Sequence, residues 1–68
     1  MGVAKIVELV GSSTKSWEDA VQQALDRTSK TIHGVRGVDV VKQTAVVKDG
    51  KLIEYRATVK ISFQVNEV

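Results

Sequence analysis

The stretch from Leu52 to Val65 reads LIEYRATVKISFQV, and apolar and polar side chains alternate along it without a break. Successive side chains of a strand point to opposite faces of a sheet, so this stretch predicts a long strand with one apolar and one polar face. At about 3.3 Å per residue such a strand is on the order of 45 Å long. The segment from Lys48 to Lys51 (KDGK) precedes it and predicts a two-residue hairpin turn, because Asp-Gly tolerates the two positive φ angles of a type I′ turn.

This turn sets the pairing of the strand with the residues before it, where the apolar period is also two. The polar face pairs Gln43 with Arg56. It also places Asp39 opposite Lys60, an ion pair that supports the register. Lys42 fits the apolar face poorly, so either the sheet runs past the helix there or a bulge shifts the register. The pairs predicted for the apolar face are Val46 with Ile53, Thr44 with Tyr55, Lys42 with Ala57, Val40 with Val59 and Val38 with Ile61.

Two further elements precede the hairpin. The stretch from Val3 to Val10 is rich in β-branched residues and predicts a first strand. Between Ser16 and Ile32 apolar residues recur every three or four positions, which predicts an amphipathic helix. We expect Ser16 to accept a hydrogen bond from the amide of Asp19 while the Asp19 carboxylate reaches back, and Gly34 to end the helix in a left-handed conformation.

The order strand, helix, strand, strand predicts an α+β fold with one helix on a three-stranded antiparallel sheet. A right-handed crossover from the first strand can place the second strand two positions away. The third strand then fills the gap between them, which gives the strand order 1-3-2. A helix of this length covers only about 25 Å of the sheet at about 1.5 Å per residue. Much of the apolar face is therefore exposed in a monomer, and we expect a single domain over residues 1–68 that forms a homo-oligomer.

Composition excludes several classes of protein. The 68 residues include no Cys, which excludes disulfides, and the single histidine, His33, cannot supply the usual Cys/His ligand set of a structural zinc site. The net charge of +2 and the scattered Lys and Arg residues argue against nucleic-acid binding. Without a long apolar run or a leader pattern, we expect a cytoplasmic protein with no membrane contact. No nucleophile and base are paired by local spacing, so we do not expect an enzyme.

Three segments carry a resemblance to a known family: Lys5 to Ser13 (KIVELVGSS), the helix with its Ala-rich stripe that ends at Ile32, and Tyr55 to Phe63 (YRATVKISF). With the chain length and element order, they make this sequence similar to the dodecins, small subunits that assemble into hollow dodecamers. The resemblance covers nearly the whole chain. It implies a dodecin-like homododecameric shell that binds a small ligand.

Most dodecins of this kind bind flavins, and the resemblance implies a tryptophan early in strand two that stacks on the flavin and a glutamine in strand three that hydrogen-bonds it. Gly37 and Arg56 stand at these two positions. Gly37 offers no ring, and losing an aromatic stack removes about 1–3 kcal/mol by analogy with base stacking. We therefore expect weak flavin binding or none. Arg56 can bind an anion instead, or pair with Glu54.

The sequence is also similar to a dodecin-like branch that keeps Ser16-Trp17-Glu18 and an arginine at position 56, for which calcium has been proposed as the ligand. Calcium takes six to eight oxygen ligands, and no segment here has the Asp/Asn-rich spacing of a known calcium loop. Any calcium site is then assembled across subunits, and its candidate carboxylates are Glu8, Asp39 and Glu54.

The expected function is thus a non-catalytic shell that binds or sequesters a small molecule or a cation. The candidate ligand-binding residues are Gly37, Arg56 and Gln43. Trp17, on the apolar stripe of the helix, fits a structural contact better than ligand stacking. Two alternatives stay open: a dodecin that binds and stores FMN or riboflavin, and a purely structural assembly. The physiological cofactor is not identified by the sequence.

Overall fold

One helix and three strands make up the chain in this computed structural model, which describes residues 2–65. The strands are β1 (Val3–Ser13), β2 (Val35–Lys48) and β3 (Lys51–Val65), and the helix α1 (Trp17–Ser29) follows β1. All three strands form one antiparallel sheet in the order β1-β3-β2. The predicted α+β fold and strand order are therefore confirmed.

The hairpin turn between β2 and β3 has the predicted two-residue form. Asp49 has a φ of 53° and Gly50 a φ of 76°, as a type I′ turn requires. The turn brings Lys48 opposite Lys51. No heavy atom lies within 4 Å of the position that a Gly50 Cβ atom would take, so Gly50 is needed for its backbone conformation alone.

Between β2 and β3 the predicted register is correct at both ends and wrong in the middle. Asp39 lies opposite Lys60 as predicted, but within residues 2–65 their charged groups do not come within 4 Å of each other. An extra residue in β3, Ile53, shifts the pairing by one, and an extra residue in β2, Val41, reverses the shift. The bulge explanation for Lys42 is thus correct, and Lys42 lies on the polar face. The corrected pairs are Lys42 with Thr58, Gln43 with Ala57, Thr44 with Arg56, Ala45 with Tyr55 and Val46 with Glu54.

The core lies where α1 packs on β1 and β3. Gly11 permits a close approach between β1 and α1, because a Cβ atom at this position would lie 2.0 Å from the backbone oxygen of Ala20. Ala20 and Ala24 on the helix are correspondingly small and buried. The sheet contributes three buried side chains to this core, those of Ala57, Val59 and Ile61.

The helix begins at the predicted cap. Ser16 Oγ accepts a hydrogen bond from the Asp19 amide at 3.0 Å. The Asp19 carboxylate was predicted to reach back to Ser16, but it accepts the Ser13 hydroxyl at 2.6 Å instead, and Ser13 Oγ accepts the Lys15 amide at 2.9 Å. The hydrogen bond from Ser13 lowers the pKa of Asp19, although partial desolvation opposes this shift.

The helix ends earlier than the apolar pattern predicts. Its last residue is Ser29 and its capping residue is Lys30, and the amides of Thr31 and Ile32 both donate to the Thr28 carbonyl just beyond it. Gly34 has the expected positive φ of 79°, but it lies beyond the cap and belongs to the entry into β2. Its carbonyl accepts the Gln64 amide at 3.1 Å and so aligns the start of β2 with β3.

The sheet extends well beyond the helix. The Cα atoms span 54 × 20 × 12 Å. The 15 residues of β3 reach about 50 Å, whereas the 13 residues of α1 reach about 20 Å. Because α1 contacts β1 and β3 much more than β2, one edge of the sheet also stays uncovered. The large apolar residues that remain exposed are Val3, Ile6, Val10, Val38, Val40, Val41, Val47, Leu52 and Ile53.

We predict that Gly11→Ala lowers the free energy of unfolding by on the order of 3 kcal/mol, because the added methyl group must displace the Ala20 carbonyl and with it the helix. Urea denaturation followed by circular dichroism measures the loss. Gly2→Ala is the matched control, since its Cβ atom would meet only the flexible end of the Gln64 side chain. Equal stability of the two variants would contradict the close approach.

A second prediction concerns acid stability. Because the folded-state pKa of Asp19 lies below its ordinary value of 3.8, the ionised carboxylate stabilises the fold above that value, and the stabilisation is lost as the pH falls through the folded-state pKa. Ser13→Ala removes the hydrogen bond that causes the shift. We expect its unfolding free energy to vary less with pH than that of wild type between about pH 5 and pH 2. Parallel pH profiles would show that Ser13 does not set the pKa.

Candidate functional site

The candidate site lies on the sheet face that points away from α1, here called the helix-distant face. Residues alternate along β3, so the neighbours of the buried residues Ala57, Val59 and Ile61 point to this side. The registers with β1 and β2 place the other members. Its residues are Ile6, Glu8, Val10 and Ser12 from β1, Gly37, Asp39, Lys42, Thr44 and Val46 from β2, and Glu54, Arg56, Thr58, Lys60 and Ser62 from β3.

A shallow groove of about 290 Å³ surrounds Gly37 on this face. The Ser62 hydroxyl, directly opposite Gly37, donates a long hydrogen bond of 3.4 Å to the Gly37 carbonyl. A Cβ atom at position 37 would lie 3.2 Å from Ser62 Oγ. The groove is therefore built from backbone and short side chains. Its lining residues are Ile6, Gly37, Val38, Asp39, Lys60 and Ser62, none of which is aromatic.

Arg56 is paired within the chain. Its Nε atom donates to Glu54 Oε2 at 2.6 Å, one of the two outcomes that the sequence left open. Both side chains are partly exposed, 49% for Arg56 and 33% for Glu54, so this pair adds little stability. A ligand with a carboxylate or phosphate can therefore compete with Glu54 for the guanidinium.

The register predicted from the sequence placed Gln43 opposite Arg56, but the structure does not. Gln43 lies opposite Ala57 on the helix side of the sheet, and Thr44 takes the place opposite Arg56. The reason is the one-residue shift between the two bulges, which turns every side chain from Lys42 to Val46 to the other face. Gln43 is consequently removed from the face that carries Gly37.

Gly37 and Arg56 share the helix-distant face, but they are not neighbours. Gly37 is aligned with Ser62, and six residues of β3 separate Ser62 from Arg56. At about 3.3 Å per residue the separation is about 20 Å. One small ligand cannot contact both residues of the same subunit.

The three candidate carboxylates are also dispersed. Glu8 and Asp39 lie on either side of Lys60, so two strand spacings, about 10 Å, separate them. Glu54 lies six residues along β3 from Lys60. Within residues 2–65 no group of three His, Cys, Asp or Glu side chains is close enough to hold a metal ion. A cation site made from these carboxylates needs more than one copy of the chain.

Trp17 has structural contacts. Its Nε1 atom donates to the Thr44 carbonyl at 2.8 Å, and its ring meets that of Tyr55 edge-on at a centroid distance of 4.8 Å. These contacts fix the start of α1 above β3 and β2, which agrees with the structural role expected for this residue. His33 is exposed in the segment after the helix.

The sequence did not identify Ile6 as part of the groove or place Lys42 on the helix-distant face. Ile6 lies opposite Ser62 on β1, and only the pairing of β1 with β3 shows this. For Lys42 the sequence did contain an indication, namely a charged residue at a predicted apolar position. No helix in the described part of the chain is long and apolar enough to span a membrane.

The fold and this open polar face define a small subunit of the β-α-β-β class, with one helix on a sheet whose other face carries candidate ligand-binding residues. The family model for Dodecin matches residues 3–66. The chain belongs to the dodecin family, which confirms the resemblance seen in the sequence.

Two curated relatives are similar over most of their length. Calcium dodecin of Mycobacterium tuberculosis is 31% identical over 64 residues, which cover 94% of this chain and 90% of the relative. Dodecin of Thermus thermophilus is 32% identical over 65 residues, which cover 96% of this chain and 94% of that protein.

Solved structures agree with this assignment. A crystal structure of a T. thermophilus dodecin mutant superposes with a TM-score of 0.94 at 31% identity, covering 100% of both chains. The crystal structure of M. tuberculosis calcium dodecin, described as calcium chelating with a novel calcium-binding site, gives a TM-score of 0.82 at 30% identity. It covers 94% of this chain and 91% of that one. The similarity to a calcium dodecin is thereby confirmed.

Proposed function

We propose that this chain forms one domain that assembles with copies of itself into a hollow, cytoplasmic homododecamer, whose helix-distant faces hold a small ligand or a cation. The observation that carries the assembly is the mismatch between a helix of about 20 Å and a sheet of about 50 Å. Membership of the dodecin family supports a closed, hollow assembly rather than an open one.

Exposed apolar side chains on both faces support this assembly. On the helix-distant face Ile6 is 63% exposed and Val10 62% exposed. Val47 and Leu52 extend the apolar surface onto the hairpin that projects past the helix. Soluble monomers rarely leave contiguous apolar surface of this extent in water. Contacts between copies remove it from solvent.

Storage rather than catalysis fits the polar groups of the face. The Ser62 hydroxyl on this face donates to a backbone carbonyl, and the Ser13 hydroxyl, on the helix side of the sheet, donates to Asp19. Within residues 2–65 neither serine has the histidine partner that would activate it as a nucleophile. The groove offers an ammonium, a carboxylate and a hydroxyl, which suit reversible binding.

Flavin is a weak ligand of this shell in our proposal, because Gly37 provides no ring on which an isoalloxazine can stack. Arg56, at the second flavin position of the family, is held by Glu54 at 2.6 Å. A cation is the alternative supported by a relative, since the similar M. tuberculosis protein is named a calcium dodecin. Glu8, Asp39 and Glu54 supply carboxylate oxygens on the same face.

Native mass spectrometry with and without Ca²⁺ tests the shell and its cation. We expect a twelve-subunit species at micromolar concentration, and a melting temperature that rises with Ca²⁺ and falls again with a chelator, because a ligand that binds only the native state stabilises it. Mg²⁺ at the same concentration is the control. A folded 7.4 kDa monomer would contradict the assembly. A shell whose melting temperature does not change with Ca²⁺ would contradict the proposal that it binds this cation.

Restoring the two flavin-binding side chains tests the expectation of weak flavin binding. Gly37 has an ordinary φ and meets only the rotatable Ser62 hydroxyl, so the double variant Gly37→Trp/Arg56→Gln can be accommodated. We expect its FMN affinity to exceed that of wild type by about tenfold or more, given about 1–3 kcal/mol per stacked ring. FMN fluorescence quenching measures the change.

Gly37→Ala/Arg56→Gln is the matched control, because it changes both positions without adding a ring. Quenching by the wild-type protein at low micromolar concentration would instead favour a flavin-storing dodecin. No gain in the tryptophan variant would show that positions 37 and 56 do not meet at a flavin site.

A further inference from the structure

The two edges of the sheet differ in regularity. In the order β1-β3-β2, both β1 and β2 have a strand neighbour on one side only. β2 contains an extra residue at Arg36 and another at Val41, and each bulge bends the strand locally. The 11 residues of β1 pair with β3 without any shift of register and include no proline. Bulges and prolines protect an edge from the addition of another strand, and β1 has neither.

Backbone groups along β1 are available on its outer side. Every second residue of an edge strand directs both its N–H and its C=O away from the sheet. Within residues 2–65 no backbone hydrogen bond apart from those of the sheet involves residues 9–12. Two of these four residues therefore present a donor and an acceptor to whatever lies beside β1.

A groove of about 280 Å³ lies between this part of β1 and the side of α1 that faces the edge. Arg27 and Lys30 line it about one helical turn apart, and both are exposed. Asp26 is the acidic residue of the lining, and its carboxylate accepts Gln22 Nε2 at 2.8 Å. Within residues 2–65 no carboxylate lies within 4 Å of the charged group of Arg27 or Lys30. The two cations outnumber the one carboxylate, so the groove attracts negative charge.

A second copy of the chain does not suit this edge. Two copies that pair β1 with β1 in antiparallel fashion are related by a two-fold axis perpendicular to the sheet, so both helices lie on the same side. Arg27 and Lys30 of one copy would then face the same residues of the other, and like charges across an interface are unfavourable. Pairing of β1 with the β2 edge of a copy is interrupted at the extra residues Arg36 and Val41. The edge therefore fits a different, negatively charged strand.

We propose that the open edge of β1 binds an extended acidic segment of another protein. The segment adds to the sheet as a fourth strand beside β1, and its carboxylates meet Arg27 and Lys30 across the groove. Main-chain hydrogen bonds hold the segment, and the two cations select its charge. The groove lies on the helix side of the sheet, apart from the face that holds the ligand in the function proposed above.

The two faces of the added strand require different side chains. Side chains that point to the helix side meet the groove and its cations. Those that point the other way lie beside Ile6 and Val10, which are exposed on the helix-distant face of β1. Successive side chains of a strand alternate between the faces, so the matching sequence alternates acidic residues with apolar β-branched ones.

Fluorescence anisotropy of a labelled peptide tests the interaction. The probe is the fluorescein-labelled heptapeptide Thr-Glu-Val-Glu-Val-Glu-Thr, and Thr-Lys-Val-Lys-Val-Lys-Thr is the control of opposite charge. We expect the wild-type protein to bind the glutamate peptide at least about tenfold more tightly than the lysine peptide. The affinity should fall as salt is added, because the groove is exposed. Equal affinity for the two peptides would overturn the proposal, as would no binding of the glutamate peptide.

Charge reversal locates the binding site. We expect Arg27→Glu/Lys30→Glu to weaken binding of the glutamate peptide by at least about tenfold, because both cations of the groove become repulsive. Lys42→Glu/Lys48→Glu is the matched control, since it changes two exposed lysines of the other edge strand by the same charge. We expect its affinity to stay within about twofold of wild type. Equal losses in the two variants would show a general effect of net charge rather than a site beside β1.

Methylation of the peptide backbone tests the strand pairing. N-methylation of every second residue removes the donors along one side of an extended chain, and shifting the pattern by one residue removes those of the other side. We expect one of these two peptides to lose binding and the other to keep it. If both bind as the unmodified peptide does, the contact is electrostatic only and no fourth strand forms.

Two remaining outcomes also decide the matter. If Arg27→Glu/Lys30→Glu does not fold, Arg27→Gln/Lys30→Gln replaces it, and an affinity equal to wild type overturns the site. If all amides of residues 9–12 exchange slowly with deuterium in the protein without peptide, another copy already covers the edge and the proposal is wrong. The wild-type protein is used in whatever oligomeric state it adopts, so a monomer would contradict the proposed shell without deciding whether β1 binds the peptide.

Discussion

The central constraint in this structure is the difference in rise between a helix and a strand. Thirteen helical residues extend about 20 Å and the fifteen residues of β3 extend about 50 Å, so one helix cannot bury one face of this sheet. The contact at Gly11 further fixes where the helix lies, because only there can backbone and helix approach so closely. Val59 and Ile61 are buried beneath it, while large apolar side chains of β2 and of the hairpin stay exposed in one subunit.

The same constraint explains why the buried core is small. Within residues 2–65 five hydrophobic side chains are buried in the core, and three of them are alanines. Alanine contributes little apolar area, so the hydrophobic stabilisation within one subunit is modest for a chain of 68 residues. A chain without cysteine has no disulfide, and within residues 2–65 no group of three His, Cys, Asp or Glu side chains is close enough to hold a metal ion. The self-assembly proposed above is a further source of stability, because it covers the apolar surface that the helix leaves open.

Much of this architecture could be predicted from local patterns. The alternation from Leu52 to Val65, the Asp-Gly turn and the Ser16 cap each depend on residues close in sequence, and each has the expected structure. The bulge at Val41 depends on how two strands meet, and apolar alternation on either side of it is unaffected. That is why the register predicted from the sequence placed Gln43 beside Arg56, where the structure has Thr44.

Lys60 lies between two carboxylates on the neighbouring strands, Glu8 on β1 and Asp39 on β2. These three side chains carry a net charge of −1, which favours a cation over an anion at this point of the helix-distant face. Ca²⁺ takes six to eight oxygen ligands, and two strand spacings, about 10 Å, separate Glu8 from Asp39. Within residues 2–65 a single subunit therefore brings no group of carboxylates together, and the calcium site proposed above takes its remaining oxygens from other copies or from water.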